Sequence, residues 1–275
     1  MKKRYSAGKI ISYVLLTAWA VLALFPLYWL YVYAFRTVPL VIKMPPSFLP
    51  IPFTLNNFYR LLSNQIVFRW LWNTVFVSVV GTGCQVFFCT LAGYALGKRQ
   101  FPGRDFIFWL IVCTLMVPQE VTLVPVYVIM SKLKWLDTYY ALIVPGMAGA
   151  FGIFLMKQFL QTLPTELMEA ATIDGCSEFQ TFTRIIMPLA KPGMAVLGIF
   201  SFMGSWNSFL WPLIMTNSSK MRLLQPGLAS LQLEMYTDIG IQMAGAAISS
   251  LPMLIIFFSL QKYFLQGITV GAVKG

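Results

Sequence analysis

The chain has 275 residues and a mass of 31.1 kDa; 58% of its residues are hydrophobic, 11% are charged, and its mean hydropathy is +0.74. Soluble domains carry about 25% charged residues, so a water-soluble globule of this composition would expose large apolar areas and aggregate. Disorder needs the opposite balance; the reading is an all-α integral membrane protein, long enough for about six spans in one transmembrane domain.

The 20 Lys+Arg against 9 Asp+Glu give a formal charge of +11. Most basic residues flank apolar runs, where they hold helix ends at the lipid surface. The partner this implies is membrane lipid and not nucleic acid. There is no histidine, which removes the usual general base and imidazole metal ligand. Cys84, Cys89, Cys113 and Cys176 form no CxxC, so they are read as small buried hydrophobes and not as a disulfide or zinc framework.

Six apolar segments can cross a bilayer core of about 30 Å: Ile10–Phe35, Trp70–Gly97, Phe106–Met130, Tyr140–Phe159, Met194–Met215 and Ile241–Phe264. The first is too long for a signal-peptide core and lacks a small-residue cleavage site, so it is expected to be retained. With six spans, both termini lie on one side. Twelve of the basic residues fall on that side and eight on the other, which favours cytoplasmic termini. The Arg36–Arg69 and Thr216–Gly240 loops then face outward. The first contains Pro45, Pro46, Pro50 and Pro52 and is expected to be largely extended or turning. Pro26, Pro118 and Pro125, Pro145, Pro212 and Pro252 fall inside five spans; together they point to kinked helices around an internal cavity. Gly81-Thr82-Gly83 and Ala244-Gly245-Ala246-Ala247 are expected at close helix contacts.

A polar segment between the fourth and fifth spans carries the most information. Pro164 and Glu166 suit a first helical turn, and Gly175 suits a helix stop. Ser177 with Gln180 three residues later forms a capping box that restarts a helix, which Pro188 is expected to end. The result is a helix–Gly–helix hairpin (coupling loop 161–192) with Phe179, Phe182 and Ile186 on one face of its second helix. The pattern alone does not decide whether the hairpin only packs on its own bundle or also docks a partner.

The spacing of Glu169-Ala170-Ala171, then Gly175, then Ile185, Met187 and Pro188 resembles the EAA signature of binding-protein-dependent ABC importer permeases. Met187 stands where that signature has Leu, a volume-conserving apolar change. Ala92–Leu96 with Phe101–Arg104, Trp206–Leu213, and Gly267–Gly275 look like the second cytoplasmic region, fifth span and C-terminal tail of the maltose-type, carbohydrate-importing branch. The chain is similar to that branch's smaller, six-span subunit.

The resemblance implies a permease in a bacterial or archaeal cytoplasmic membrane, paired with a second, larger permease. Two ATPase subunits that bind ATP and Mg would sit beneath, and an extracytoplasmic sugar-binding protein would deliver an oligosaccharide or related sugar. It implies no cofactor, metal or catalytic residue on this chain. Glu169, Ala170, Ala171, Asp174, Gly175 and Pro188 would form the coupling hairpin docked in an ATPase cleft. Gly271, Lys274 and Gly275 of the tail would touch the ATPases. The nearest approach to a nucleotide loop, Gly93–Arg99, has three spacers and Arg99 where Ser or Thr is required, so it is dismissed.

Pathway candidates are Gln119 with Glu120, and Trp206 with Asn207. Glu120 is the one acid placed well inside a predicted span, where charge costs about 2.5–3.5 kcal/mol. It is either a polar pathway residue or a glutamate at an outward helix end. Trp206 and Asn207 could stack on and hydrogen-bond a sugar, or pack on the sister subunit. The competing class, a stand-alone secondary transporter or channel, would call for buried charge pairs or inverted repeats, and it leaves the hairpin unexplained.

Overall fold

The computed structural model describes residues 7–37, 48–234 and 238–272; of residues 7, 232–234 and 260–272 only the backbone is described. The described residues form helices α1 (Ala7–Ala34), α2 (Asn56–Leu62), α3 (Gln65–Lys98), α4 (Arg104–Thr114), α5 (Gln119–Lys132), α6 (Tyr139–Ile143) and α7 (Ala150–Gln161). They continue with α8 (Glu166–Ile173), α9 (Glu178–Gln180), a π-helical stretch (Thr181–Ile186), α10 (Met187–Leu189), α11 (Lys191–Trp206), α12 (Leu210–Met215), α13 (Leu224–Glu234) and α14 (Ile239–Ala272). No strand occurs among the described residues.

Three helices are long and apolar enough to cross a membrane unbroken, and three bent pairs bring the count to as many as six. The second span is longer than expected. At 1.5 Å per residue the 34 residues of α3 run about 51 Å, well beyond a bilayer core of about 30 Å. The third span is not one helix: α4 and α5 meet at 101° across Leu115–Pro118. Pro118 cannot donate to a carbonyl of the preceding turn, so it begins α5 instead of continuing α4. The fourth span bends by 41°, where Pro145 sits in a short 3₁₀ turn, Val144–Gly146. The fifth stops at Trp206 and resumes as α12. Pro26, Pro125 and Pro252, by contrast, stay inside continuous helices.

The chain forms two compact units, one of Met1–Val67 and Leu228–Leu251, the other of Phe68–Gly227 and Pro252–Gly275. In the first, α1 presents apolar side chains outward along most of its length, Trp19 at 73% exposure and Leu22 at 67%. That is the expected state of a helix whose surroundings are lipid or another apolar helix. Buried Asn57 donates to the Ala34 and Arg36 carbonyls at 3.0 and 2.8 Å, so α2 is tied to the end of α1. The Tyr31 and Ser250 hydroxyls lie 2.8 Å apart, and Arg60 pairs with Asp238 at 2.5 Å.

The second unit holds two apolar cores. Val77, Met130, Ala141, Leu142, Ile143, Met215 and Leu223 form the smaller. Beside it, Asn73, fully buried, donates to the Lys220 and Arg222 carbonyls at 2.8 and 3.0 Å and accepts from the Tyr139 hydroxyl at 2.7 Å. The Leu224 amide donates to Thr74 Oγ1 at 2.7 Å. Residues 220–224 of the segment expected as loop are thus pinned to the third turn of α3, and α13 begins there. Asp137, at φ 60°, accepts from the Asn217 and Ser218 amides, each at 2.9 Å. Burial pushes its carboxyl up, but the hydrogen bonds from Ser218 and Asn217 outweigh that and hold it below its ordinary value.

The larger core joins Cys89, Tyr94 and Leu96 of α3 to Phe108 of α4, to Ile153, Met156 and Leu160 of α7, and to Leu197 of α11. Its seam of backbone on backbone is not one of the two expected small-residue stretches. Cβ atoms added at Gly81 or Gly83 would meet nothing within 4 Å. One added at Gly93 would lie 2.8 Å from the Lys157 amide nitrogen, and one at Gly97 would lie 3.3 Å from the Lys157 carbonyl oxygen. The Gly93–Gly97 pair, one turn apart, lets α3 lie directly on the backbone of α7. The ammonium of buried Lys157 sits 3.3 Å from the centroid of the Phe108 ring, a cation–π contact that shields its charge. The second small stretch does pack: Ala244 and Ala247 are fully buried, and a Cβ on Gly245 would lie 2.7 Å from Leu228. Of the four free cysteines only Cys89 is buried, and Cys113 is exposed, contrary to expectation. The helix carrying Cys113 turns most of its side chains outward, leaving Phe108 as its buried residue.

Gly93→Ala is expected to force α3 and α7 apart at a cost of about 1–3 kcal/mol, lowering the Tm of the purified transporter. Gly81→Ala is the control and should leave Tm unchanged. Equal Tm values for the two variants would refute the seam.

Candidate functional site

The hairpin between α7 and α11 is built as its residues require. α8 ends in a Schellman motif: the Cys176 amide donates to Ala171 O at 2.9 Å and the Gly175 amide to Thr172 O at 3.1 Å. This closure needs a left-handed residue, and Gly175 supplies it at φ 75° with open space where a Cβ would stand. Ser177 and Gln180 then form the capping box, with the Ser177 amide donating to Gln180 Oε1 at 2.8 Å and the Gln180 amide to Ser177 Oγ at 3.3 Å.

Pro188 does not end the second helix. The chain widens into the π-helical stretch Thr181–Ile186, continues through Pro188 to Leu189, and turns at Ala190, where the segments Glu178–Leu189 and Lys191–Trp206 meet at 78°. Wider carbonyl spacing before the proline accommodates a residue with no amide hydrogen, so the break falls two residues later.

The hairpin has two unlike faces. Met168, Ala171, Phe182 and Ile186 are at most 3% exposed, and Met168, Phe182 and Ile186 belong to the larger core. Glu169, Ala170, Asp174, Gly175 and Pro188 are exposed. Ala171, expected on the docking surface beside Ala170, therefore faces inward. Phe179 departs from the expected face as well: it is 63% exposed, because the π-helical stretch changes the angular step between it and Phe182. Ile173, at 85% exposure, was missed from the sequence. The signal was available: at 100° per residue, Ile173 stands about 140° from Met168 on α8.

α3 grips the hairpin from behind. Arg99 Nε donates to the Tyr94 hydroxyl at 3.0 Å, that hydroxyl donates to Glu178 Oε2 at 3.2 Å, and Arg99 Nη2 pairs with Glu178 at 2.7 Å. The Tyr94 ring lies 5.6 Å from that of Phe182. Lys98 Nζ donates to the Leu163 carbonyl.

Away from the hairpin, a cavity of about 560 Å³ opens among α3, α5, α6, α7, α11 and α12. Gln119 lines it, and so do Pro145 and Pro212, two of the prolines at broken spans. Glu120, Trp206 and Asn207 do not. Glu120 is exposed in the first turn of α5, where a helix favours negative charge. Trp206 is 1% exposed and stacked on Phe202 at 5.7 Å. Asn207 is exposed at the end of α11. Trp211, five residues beyond Trp206, is the tryptophan that faces the cavity. Of the tail residues, Gly271 falls in the last turn of α14, described as backbone only, and Lys274 and Gly275 lie outside the described residues.

Apolar helices around a cavity of mixed apolar and polar lining, with a two-faced hairpin between two of the spans, define a membrane transport subunit. Residues 89–270 match the family described as binding-protein-dependent transport system inner membrane component, and the chain belongs to this family. It is a transport permease and not an enzyme. The chain is 37% identical over 259 residues, 93% of each chain, to the arabinooligosaccharides transport system permease protein AraQ of Halalkalibacterium halodurans. It is 32% identical over 266 residues, 96% of each chain, to the lactose transport system permease protein LacG of Rhizobium radiobacter. In fold it is similar to a chain of a bacterial ABC transporter involved in the import of the acidic polysaccharide alginate. That match has a TM-score of 0.84 and 24% identity, and it covers 96% of this chain and 100% of the other.

Tyr94→Phe keeps the ring on Phe182 but removes the hydroxyl shared by Arg99 and Glu178. It should cost about 1 kcal/mol and speed hydrogen exchange across residues 163–180 of the assembled transporter. Glu178→Gln should do less, since exposed ion pairs are worth about 0–1 kcal/mol. Unchanged exchange in Tyr94→Phe would show that the grip on the hairpin lies elsewhere.

Proposed function

We propose that this chain is the smaller of two permease subunits in an ATP-driven carbohydrate importer of the cytoplasmic membrane, with both termini and the Glu166–Pro188 hairpin in the cytosol. A second permease completes the pathway, two ATPase subunits binding ATP and Mg seat the hairpins, and an extracytoplasmic binding protein presents the sugar. The sugar-transport names of the AraQ and LacG relatives support the substrate class. The basic residues at the first span and the 98–104 turn support the orientation.

The observation that carries the docking role is the outer face of the hairpin. Glu169, Ala170 and Ile173 stand exposed on α8 and Asp174 at its C-cap, with Phe179 exposed on the second helix. An apolar tip with acidic neighbours, held rigid from behind, suits a cleft with an apolar floor and a basic rim. Ile173 and Phe179 fill the cleft, and Glu169 pairs with a cation of the ATPase. ATP-driven approach of the ATPases favours one bundle state, hydrolysis the other; force enters as their differential affinity for those states.

Ile173→Asp would bury an unpaired carboxylate in that cleft and cost about 2 kcal/mol or more. ATPase subunits retained on the affinity-purified permease pair should fall by roughly tenfold or more. Glu169→Lys should lower retention as well. Full retention in both variants, or labelling of a cysteine at position 169 by an impermeant reagent from outside intact cells, would overturn the assignment.

A further inference from the structure

We propose that residues 48–62 form an anchor seated in the outer membrane–water interface, and that its occupant is lipid: headgroups and the first carbons of the acyl chains. Between α1 and α3 the sequence suggests a loop in water. The side chains describe a different setting. Phe48, Ile51, Phe53, Leu55, Tyr59 and Leu62 are each between 44% and 73% exposed, and so many large apolar side chains close together would be an aggregation liability in water.

α2 separates three environments around its circumference. At about 100° per residue, Leu55, Tyr59 and Leu62 share one sector, and all three are exposed. Asn56, Arg60 and Ser63 share the next sector, polar and also exposed. Asn57 and Leu61 take the third and are buried, with the neighbouring Phe58 ring 4.8 Å from that of Phe35. An ordinary surface helix needs only two sectors, one for the core and one for water. A third sector of bare apolar side chains suits the line where protein, water and lipid meet.

The chain leading into α2 supplies the depth. The Phe53 ring stacks on that of Phe35 at 5.4 Å, and the Thr54 amide donates to the Phe35 carbonyl at 2.8 Å. Phe48 instead meets Trp29, ring to ring at 5.7 Å, and its carbonyl accepts from the Tyr28 hydroxyl. Trp29 lies about 9 Å back from Phe35 along the helix, so residues 48–53 run beside α1 towards the bilayer. The 28 residues of α1 run about 42 Å against a hydrocarbon core of about 30 Å, so a centred α1 projects about 6 Å at each end. Phe48 is thereby carried to the edge of the hydrocarbon, beside a tyrosine and a tryptophan, the residue types that favour that level. The row Phe25, Trp29, Phe48, with ring centroids 5.7 Å apart at each step, joins this surface to the exposed apolar length of α1. Asn57 fastens α2 to the end of α1, and Arg60 pairs with Asp238 just ahead of α14. An anchored α2 therefore holds the outer ends of both helices at one depth. Which leaflet receives the anchor follows from the orientation proposed above; the lipid contact does not depend on it.

The test places single nitroxides through Leu55→Cys, Asn56→Cys, Tyr59→Cys, Leu62→Cys and Ser63→Cys. Cys84, Cys113 and Cys176 are replaced by alanine, and the transporter is assembled in proteoliposomes with partner subunits free of reactive cysteines. Relaxation by oxygen and by a water-soluble nickel chelate, supplied on both sides, reports the depth of each label. Labels at 55, 59 and 62 are expected about 5–10 Å below the phosphate level, and labels at 56 and 63 at or above it. Nickel access at 55, 59 and 62 equal to that at 56 and 63 would put the face in water and overturn the proposal. Exclusion of both reagents from 55, 59 and 62 would give the face to the second permease and overturn it as well. Exclusion that appears only on adding the binding protein would give the face to that partner, with the same result.

Discussion

The packing of the hairpin's inner face into the bundle core is the constraint on which the rest of the second unit depends. Met168, Phe182 and Ile186 share one apolar cluster with Tyr94, Phe108, Met156, Leu160 and Leu197, so the protruding element and the spans have a common interior. A hairpin fastened only by its two chain ends would yield to any load applied at its tip. Here, displacing the tip means opening a close-packed core, and packed interiors transmit strain instead of absorbing it. The polar clasp of Arg99, Tyr94 and Glu178 adds direction more than strength, since its outer partner is 70% exposed.

The same helix that holds the hairpin also borders the cavity. Tyr94 and Lys98 lie at one end of α3 with Arg99 just beyond it, while Val77, Gly81, Thr82 and Gln85 lie about two and a half to six turns away along the same unbroken helix. A movement imposed on the hairpin therefore reaches the cavity wall through one rigid element. The cavity's other walls are α5, α6, the 3₁₀ turn at Pro145, the start of α7, α11 and α12, all of which adjoin breaks in the chain. One wall is continuous and the others are segmented, so their relative motion changes the shape of the space between them.

What the residues disclosed in advance follows from which signals are local. The spans, the Gly175 stop and the Ser177–Gln180 box are set by composition and by contacts within a few residues, and the sequence displays them directly. The inward turn of Ala171 depends on Met168 three residues earlier finding the core, which no local pattern states. The exposed tip residue Ile173 was legible from its angle on α8, but an apolar residue in an apolar chain draws no notice. The pathway candidates show the limit most clearly. Glu120 and Trp206 stand out by type, whereas the cavity is lined by Thr82, Ser201 and Ser205, which are unremarkable as residues. They come together only because two helices distant in the chain, α3 and α11, face one space. The break at Leu115–Pro118 was foreshadowed by a proline, yet Pro26, Pro125 and Pro252 give the same signal and remain in continuous helices.

The glycine seam between α3 and α7 restricts where conformational change can occur. With the Lys157 backbone lodged against Gly93 and Gly97, sliding or rotating one helix over the other would drive backbone into backbone, so the pair has a single rigid-body coordinate. The remaining degrees of freedom are the chain interruptions near residues 115–118, 147–149 and 207–209 and the corner at Ala190. Alternating access in this subunit would then be a matter of pivots at four joints around one fused pair of rods.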